Sequence, residues 1–170
     1  MEIRLSAATR RQLTDLRNRC FPAHAVSRPY LKQLPHWRLL ARQGGVLVAQ
    51  AGIDHRMVAI DGRPASVLGV VDLCVDPSVR GQGLAGRMLE DLHRRACDGG
   101  VDALLLAADD PRLYLRHGFV ALDLRATWLR VHEHRTLGLA RAPLRGVLML
   151  RPAVSQLHPP RTIDLLGTLF

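Results

Sequence analysis

The sequence predicts an α/β (α+β) fold, and three observations support this class. Helical and extended periodicities alternate along the chain, turn residues separate consecutive β-rich runs, and one run that is apolar in both side-chain phases predicts a strand covered on two faces. With 170 residues, 48% of them hydrophobic and 23% charged, the chain has the size and composition of a globular domain. We therefore expect a single domain over residues 1–170.

The first predicted element is a helix. The pattern TRRQ at residues 9–12 is typical of a capping box, and Leu13, Leu16 and Cys20 follow it at helical spacing. Prolines then break residues 21–37 into a loop with, at most, a short helix. This segment could line an acceptor pocket or serve as a plain connector, and both interpretations stay open.

Consecutive antiparallel strands are predicted next. Gly44-Gly45 and the tetrapeptide DGRP at 61–64 are turn chemistry, and the second is typical of a hairpin. Both phases of residues 67–75 are largely apolar, so this strand is expected to be central in a sheet. The strands are expected at residues 37–42, 46–60 and 65–75.

The second half of the chain predicts further helices and strands. Leu84 and Met88 begin the apolar stripe of a helix that ends at Gly99-Gly100. A loop containing Gly138 and Pro143 is expected before the last predicted strand, and the apolar end of the chain is expected to pack. The other elements are a buried strand at 103–107, a short helix within 111–118, and strands at 119–131 and 144–152.

The net charge of +9 raises the question of nucleic-acid binding. Of the 24 basic residues only Lys32 is a lysine, and the arginines are scattered rather than grouped in blocks. We interpret them as a solvated basic surface, which is compatible with a local patch for phosphates. Nucleic acid is not an expected partner.

The N-terminal residues MEIRLSAATRRQ lack the apolar region of a signal peptide. No run approaches the roughly 18 apolar residues of a membrane span. We expect a cytoplasmic protein without a membrane partner.

Cysteine and histidine positions do not predict a metal site. Cys20, Cys74 and Cys97 have no metal-ligand spacing, which indicates free thiols. A nucleophilic cysteine would need a base and an orienting partner that the sequence does not identify. His132-Glu133-His134 has no third ligand at suitable spacing, and we interpret it as an exposed strand end.

The stretch VDPSVRGQGLAGRML, residues 75–89, combines a strand end, a proline, three glycines and a helix start. Such glycines mark a tight turn or a backbone that approaches a ligand closely. A helix start also carries unpaired N–H groups and a partial positive charge, which suit an anion. The amides of residues 82–85 could therefore hold two phosphates, with added charge from Arg80.

Two motifs, one of them in this stretch, are similar to those of a known protein family. The sequence RGQGLA at residues 80–85 matches the pyrophosphate loop R/Q-x-x-G-x-G/A, and YLRHGF at 114–119 matches the signature Y-x-x-x-G-F. With the order of elements, they make the chain similar to the GCN5-related N-acetyltransferase (GNAT) superfamily over residues 38–130. The resemblance implies a mixed, mostly antiparallel central sheet flanked by helices on both faces.

The resemblance also implies an activity: acetyl-CoA-dependent transfer of an acetyl group to the amine of a small molecule, by direct attack on the thioester. Acetyl-CoA is the implied cosubstrate and no metal is implied. Tyr114 is the implied catalytic acid, because a phenol can protonate the leaving thiolate. The implied coenzyme-binding residues are Leu73, Cys74, Val75, Arg80, Gly81, Gln82, Gly83, Leu84 and Ala85.

No general base is evident. Many superfamily members carry a Glu at positions that here are Val71 and Gly69. Asp72 lies in the opposite phase of the strand, and faces the other side of the sheet unless a bulge turns it. Asp109 and Asp110 could act through water or could simply cap a turn, and a water chain could also deprotonate the amine.

The tail IDLLGTLF resembles the branch of aminoglycoside N-acetyltransferases and nodulation acyltransferases, in which the chain end returns toward the acceptor. This makes Asp164 a candidate substrate-binding residue, together with Asp72. Transfer of a longer acyl chain, and a non-catalytic CoA-sensing or nucleic-acid-binding module on the same fold, are the alternatives. The oligomeric state, including a homodimer, stays open.

Overall fold

A computed structural model describes residues 2–154 and 160–170, and its helices and strands define a mixed α/β fold, as predicted. The helices are α1 (Ala7–Cys20), α2 (Leu84–Asp98) and α3 (Arg112–Leu115). The strands are β1 (Trp37–Gln43), β2 (Val46–Ile60), β3 (Arg63–Val75), β4 (Ala103–Ala107), β5 (Val120–His132), β6 (Arg135–Pro152) and β7 (Thr162–Thr168). Short 3-10 helices occur at Glu2–Arg4, Pro22–His24 and Pro77–Val79.

Strand pairing follows the order β1-β2-β3-β4-β6-β5-β7, with an additional β2–β7 contact. Pairs β1–β2, β4–β6, β5–β6 and β2–β7 are antiparallel. Pairs β3–β4 and β5–β7 are parallel. The mixed, mostly antiparallel sheet with a central β3 is therefore confirmed.

The chain divides into two compact units. Unit 1 contains Met1–Asp54 and Val70–Met88, and unit 2 contains His55–Gly69 and Leu89–Phe170. A small apolar cluster in unit 1 joins α1 to the strands through Leu13, Leu16, Leu47 and Cys74. The larger cluster in unit 2 consists of Val58, Ile60, Ala65, Val67, Ala103, Leu105, Leu122, Leu124, Ala126, Leu148, Leu150, Ile163 and Leu165.

Helix α1 starts earlier than its capping pattern predicts. Ser6 is the N-cap residue, because its hydroxyl accepts a hydrogen bond from the Thr9 amide at 3.1 Å. The prediction that a capping box begins at Thr9 is therefore wrong by three residues. The predicted apolar stripe is confirmed, since Leu13 and Leu16 are fully buried.

The prediction of a loop around Gly138 and Pro143 is wrong, because both residues lie in β6. Glu133 and His134 both have left-handed φ values, 44° and 61°, and form a two-residue hairpin turn, so that β6 begins at Arg135. Pro143 is accommodated in the strand because β4 pairs only with residues 148–152 of β6. Residues 132–134 are exposed at the hairpin tip, which agrees with an exposed strand end.

The end of the chain packs, as predicted, although residues 155–159 of this segment lie outside the described residues. Strand β7 pairs with β5 and β2. Beyond it, the Phe170 ring lies on Gly69, where a Cβ atom would overlap the ring carbons. The guanidinium carbon of Arg56 lies 3.9 Å from the centroid of the same ring. Gly69, one of the two positions at which relatives carry a Glu, thus has its side-chain space filled by an aromatic ring.

Replacing Gly69 with Ala should destabilise the protein by about 1–3 kcal/mol, because the new methyl group forces the ring aside. Urea denaturation of G69A, F170A and the double variant measures this effect. In the double variant the added methyl group has space. The losses of unfolding free energy in G69A and in F170A should therefore sum to more than the loss in the double variant. Simple additivity of the two losses would contradict the contact.

Candidate active site

The segment that leads into the glycine loop is anchored by Asp76, directly after β3. Its carboxylate accepts hydrogen bonds from the Ser78 hydroxyl at 2.7 Å and the Ser78 amide at 3.0 Å. Arg19 on α1 donates to the other carboxylate oxygen at 2.7 Å. These contacts, the Ser78 hydroxyl first, lower the pKa of Asp76 to about 2. The ionised carboxylate therefore holds the start of the loop on α1.

This anchor predicts a pH dependence of stability. Because the pKa of Asp76 is lower in the folded protein than its usual 3.8, the stabilisation is complete above pH 4 and disappears as the pH falls toward 2. The Tm of wild type should exceed that of D76N at neutral pH, and the gap should close on acidification. When Ser78→Ala is present in both proteins, the Tm difference caused by D76N at neutral pH should be smaller. A gap that is constant with pH would exclude this role.

The glycine loop presents an open backbone. Gly81 and Gly83 have φ values of 79° and 72°, a conformation that favours glycine. A Cβ atom at Gly81 would meet no other atom within 4 Å. The amide of Arg87 donates to the Gly83 carbonyl at 3.0 Å, and the Arg87 side chain donates to the Gln82 carbonyl at 2.8 Å. These bonds hold the carbonyls of the loop from the helix side.

Four amides of the same loop make no hydrogen bond within residues 2–154 and 160–170. In the part of the chain that the structure describes, no hydrogen bond has the amide of Gln82, Gly83, Leu84 or Ala85 as its donor. They lie at the start of the fifteen-residue helix α2, where the helix dipole favours negative charge. These four amides are therefore open to an acceptor, and their binding of a phosphate group stays a prediction.

The last residue of β3 lies beside this loop in the chain, and its carbonyl has two donors. The Arg80 Nε atom donates to the Val75 oxygen at 3.2 Å, and the Cys20 thiol donates to it at 3.3 Å. Cys74 is buried, while Leu73 and Val75 are partly buried. Arg80 thus folds back onto the strand end instead of pointing freely into solvent.

Asp72 lies at an irregularity within β3. Its φ of 49° is left-handed, and the Gln50 side chain donates to its carbonyl oxygen at 2.9 Å. A left-handed φ is unusual for a non-glycine residue within a strand. Its carboxylate accepts a hydrogen bond from Arg17 at 3.2 Å, with 15% and 2% of the two side chains exposed. Burial raises the pKa of Asp72, and the charge of Arg17 opposes that rise.

Arg17 is the residue that sequence reasoning missed. It lies four residues after Leu13 on the apolar stripe of α1, where a charged side chain is unexpected unless it has a buried partner. Its guanidinium also donates to the His24 carbonyl at 2.7 Å and lies over the Phe21 ring. A charge inside an apolar stripe was the available signal.

Gln50 belongs to a second buried polar group in unit 1. Arg38 donates to the Gln50 side chain at 2.6 Å, to Glu2 at 2.7 Å and to the Pro29 carbonyl at 2.7 Å. Together with Arg17, these contacts fasten the loop of residues 21–36 to the irregularity at Asp72. This loop is therefore held by buried polar groups, which a plain connector does not require.

Tyr114 lies in unit 2 at the end of α3. Its ring packs edge-on against Phe119 at a centroid distance of 5.8 Å, and its carbonyl accepts the amides of His117 and Phe119. Burial, followed by the charge of Asp110, raises the pKa of the Tyr114 phenol. The phenol is therefore kept protonated across the neutral range, as a proton donor requires.

The turn after Tyr114 is fixed by a charged cluster. Arg151 donates to both carboxylate oxygens of Glu90, at 2.9 and 2.8 Å, and His117 lies 2.9 Å from the same carboxylate. These contacts, Arg151 first, lower the pKa of Glu90 to about 2. Gly118 is needed next to them, because its φ is 73° and a Cβ would lie 3.2 Å from the Arg151 Nε atom.

The other acidic candidates make local contacts. Asp110 pairs with Arg112 at 2.6 Å and accepts its amide, which fits the capping interpretation, and Asp109 is exposed. On β7, the carboxylate of Asp164 accepts the Leu166 amide at 2.9 Å. The substrate-binding roles of Asp72 and Asp164 stay predictions, as does the branch assignment that suggested Asp164.

Comparison with known proteins identifies the family. The family model described as "Acetyltransferase (GNAT) domain" matches residues 3–121, which include both sequence motifs. The chain belongs to the GNAT acetyltransferase family. No curated protein matches closely enough to extend this assignment.

Solved structures agree on the fold. The Escherichia coli GNAT family N-acetyltransferase YhbS, in complex with CoA, is 19% identical with a TM-score of 0.61, over 91% of this chain and 82% of that chain. A Brucella melitensis GNAT family acetyltransferase, in complex with acetyl-CoA, is 18% identical with a TM-score of 0.53, over 69% and 80%.

Eis1 from Mycobacterium abscessus is 18% identical with a TM-score of 0.59, over 72% of this chain. The chain spans about a third of the length of Eis1, of which 31% is covered. At these low sequence identities, the structural matches show that the proteins share a fold.

Two further features bear on metals and membranes. Within residues 2–154 and 160–170, His, Cys, Asp and Glu side chains form no group of three that could hold a metal ion. In the same ranges no helix has both the length and the apolar character of a membrane span.

Proposed function

We propose that this GNAT family member is an acetyl-CoA-dependent N-acetyltransferase that acts on the amine of a small molecule. The observation that carries the proposal is that the amides of residues 82–85, at the start of α2 and including the left-handed Gly83, donate no hydrogen bond within the described part of the chain. Such a backbone suits a diphosphate, which coenzyme A contains. The CoA and acetyl-CoA complexes among proteins of the same fold support this ligand.

In the proposed complex, the amides of Gln82, Gly83, Leu84 and Ala85 bind the diphosphate. Arg80 adds positive charge, and the backbone of Leu73, Cys74 and Val75 binds the pantetheine arm. The glycine at 81 lets the backbone approach the ligand, because no neighbouring atom fills the space beside it. This binding holds the thioester along β3 for attack by a neutral amine.

The transfer reaction develops negative charge at two atoms, the oxygen of the tetrahedral intermediate and the sulfur of the leaving thiolate. Backbone N–H groups of the strand are the proposed donors to the oxyanion of the tetrahedral intermediate. When this intermediate collapses, the carbon–sulfur bond breaks and the thiolate takes a proton from the Tyr114 phenol. Because burial raises the pKa of Tyr114, the phenol remains protonated until it is needed.

The acceptor side of the proposal rests on Asp72 and Asp164. Asp72 is the stronger candidate, since it has a left-handed φ within β3 and buried groups hold the loop of residues 21–36 against the same place. Arg17 already neutralises part of its charge, so Asp72 is proposed to position the amine and water is proposed to deprotonate it.

Two assays test the proposal. Calorimetric titration with acetyl-CoA, and separately with duplex DNA at physiological salt, distinguishes a coenzyme site from a nucleic-acid site; binding of DNA alone, steeply weakened by salt, would overturn the proposal. A panel of small amines, followed by thiol release, tests transfer. Coenzyme binding without release of thiol for any amine would favour the CoA-sensing alternative.

A further inference from the structure

The segment that carries Tyr114 is short and needs support from other elements. Helix α3 has only four residues, Arg112–Leu115, and a single helical turn is marginal in water. Phe119 is buried, and its ring packs edge-on against the Tyr114 ring. The ion pair of Asp110 with Arg112 lies within the segment and does not fix it to another element.

The side chain of His117 joins this segment to α2. Its Nδ1 atom lies 2.9 Å from a carboxylate oxygen of Glu90. Arg151 and then His117 lower the pKa of Glu90 to about 2, so the carboxylate is ionised at neutral pH and can only accept hydrogen bonds. The Nδ1 atom therefore carries a proton and donates the hydrogen bond, whether the imidazole is neutral or charged.

Arg151 holds the carboxylate that accepts this hydrogen bond. Two of its nitrogens donate to the two oxygens of Glu90, at 2.9 and 2.8 Å, and 14% of the Arg151 side chain is exposed. Such a bidentate pair fixes the orientation of the carboxylate. The same guanidinium lies against the turn at Gly118, where a Cβ atom would be 3.2 Å from its Nε atom. His117 thus has an acceptor that is itself held in place.

The backbone of the turn connects His117 to Tyr114. The amide of His117 donates to the Tyr114 carbonyl at 2.9 Å, and the amide of Phe119 donates to the same carbonyl at 3.1 Å. Because the Tyr114 and Phe119 rings are also in contact, a displacement of this turn changes the direction of the phenol.

We propose that Glu90 and His117 are positioning residues, which set the direction of the Tyr114 phenol during acetyl transfer. This inference rests on the proposed function, in which that phenol protonates the leaving thiolate. Neither Glu90 nor His117 takes part in the bond changes. Because a displacement of about 1 Å costs on the order of 10²-fold in rate, loss of their hydrogen bond should lower kcat.

The kinetics of four variants test this role. H117A and E90A each remove one partner of the hydrogen bond, and both should lower kcat by about 10- to 100-fold with KM for acetyl-CoA unchanged. H117N keeps an N–H group near the position of Nδ1 and should have nearly the kcat of wild type. D91A is the matched control, because it removes the adjacent carboxylate of α2, which pairs with Arg95. Its kcat should be that of wild type.

A double-variant cycle separates positioning from a general structural effect. In Y114F no hydroxyl is left to direct, so the addition of H117A should not lower kcat further. Circular dichroism melts check the fold of each variant, and Tm should change little because exposed ion pairs contribute little to stability. The proposal is overturned if H117A lowers kcat by the same factor in Y114F as in wild type. It is also overturned if H117A and E90A both keep the wild-type kcat.

NMR of the protein with isotope-labelled tyrosine rings gives a readout that does not depend on activity. The chain has two tyrosines, so Y114F assigns the Tyr114 signals. We expect these signals to shift in H117A and in E90A, and to stay in place in H117N and D91A. If they shift as expected but wild type releases no thiol with any amine, the proposed function fails while the positioning of the ring is upheld. Unshifted signals in both H117A and E90A would contradict the positioning itself.

Discussion

Replacement of Tyr114 with Phe is expected to lower kcat for acetyl transfer by about 10²–10⁴-fold, the range that a positioned general acid contributes. The phenylalanine keeps the edge-on packing against Phe119 and removes only the hydroxyl. Coenzyme affinity should be unchanged, because the lost group acts on the leaving thiolate. Thiol release under saturating acetyl-CoA and amine measures kcat, and calorimetry measures the affinity.

Tyr30→Phe is the matched control, since it removes the hydroxyl of the chain's other tyrosine. Because Tyr30 lies in the loop of residues 21–36, which the proposal places beside the acceptor, its hydroxyl should affect KM for the amine, while kcat at saturating amine should stay that of wild type. Because the pKa of Tyr114 is raised above its usual 10.0, wild-type kcat should also show no loss from phenol ionisation at pH 9. An unchanged kcat in Y114F would remove Tyr114 from the mechanism.

Replacement of Gly81 with Val is expected to weaken coenzyme A binding by about 5- to 150-fold. A β-branched residue at a φ of 79° adds roughly 1–3 kcal/mol of strain, and relief of that strain displaces the loop backbone. Open space surrounds the site, so the effect arises from the backbone conformation and not from a collision. Calorimetric titration with coenzyme A measures the loss.

Gly62→Val provides the control for this strain. Gly62 has a φ of 77°, also lies in open space, and forms the turn between β2 and β3. Both variants should lose similar stability in urea, but only G81V should lose affinity. Equal affinities for G81V and G62V would contradict the role of the glycine loop.

Local sequence signals predicted most of the fold. Strands β1 to β4 and helix α2 lie within two residues of their predicted bounds, because turn glycines and apolar periodicity mark their ends. The hairpin between β5 and β6 was not predicted, since Glu133 and His134 adopt a conformation usually associated with Asn or Gly. The sequence does not reveal when tertiary packing imposes such a turn.

The candidate site also has one part that the sequence predicted and one part that it did not. Residues 80–85 form one contiguous motif, so their backbone geometry could be anticipated from glycine spacing alone. The contact of Arg17 with Asp72 joins residues 55 positions apart in the chain, and the hydrogen bond from Cys20 to the Val75 carbonyl spans the same separation. Pairings of this kind arise from packing of α1 on the strands, which periodicity does not specify.

The claim on which this account depends is that main-chain amides of residues 82–85 hold a diphosphate. Two-dimensional NMR of the 15N-labelled protein tests it directly, with coenzyme A as one ligand and pantetheine, which lacks the diphosphate, as the other. We predict large amide shifts at Gln82, Gly83, Leu84 and Ala85 with coenzyme A and small ones with pantetheine. Coenzyme A that leaves these four amides unshifted, or shifts only amides elsewhere, would contradict the account.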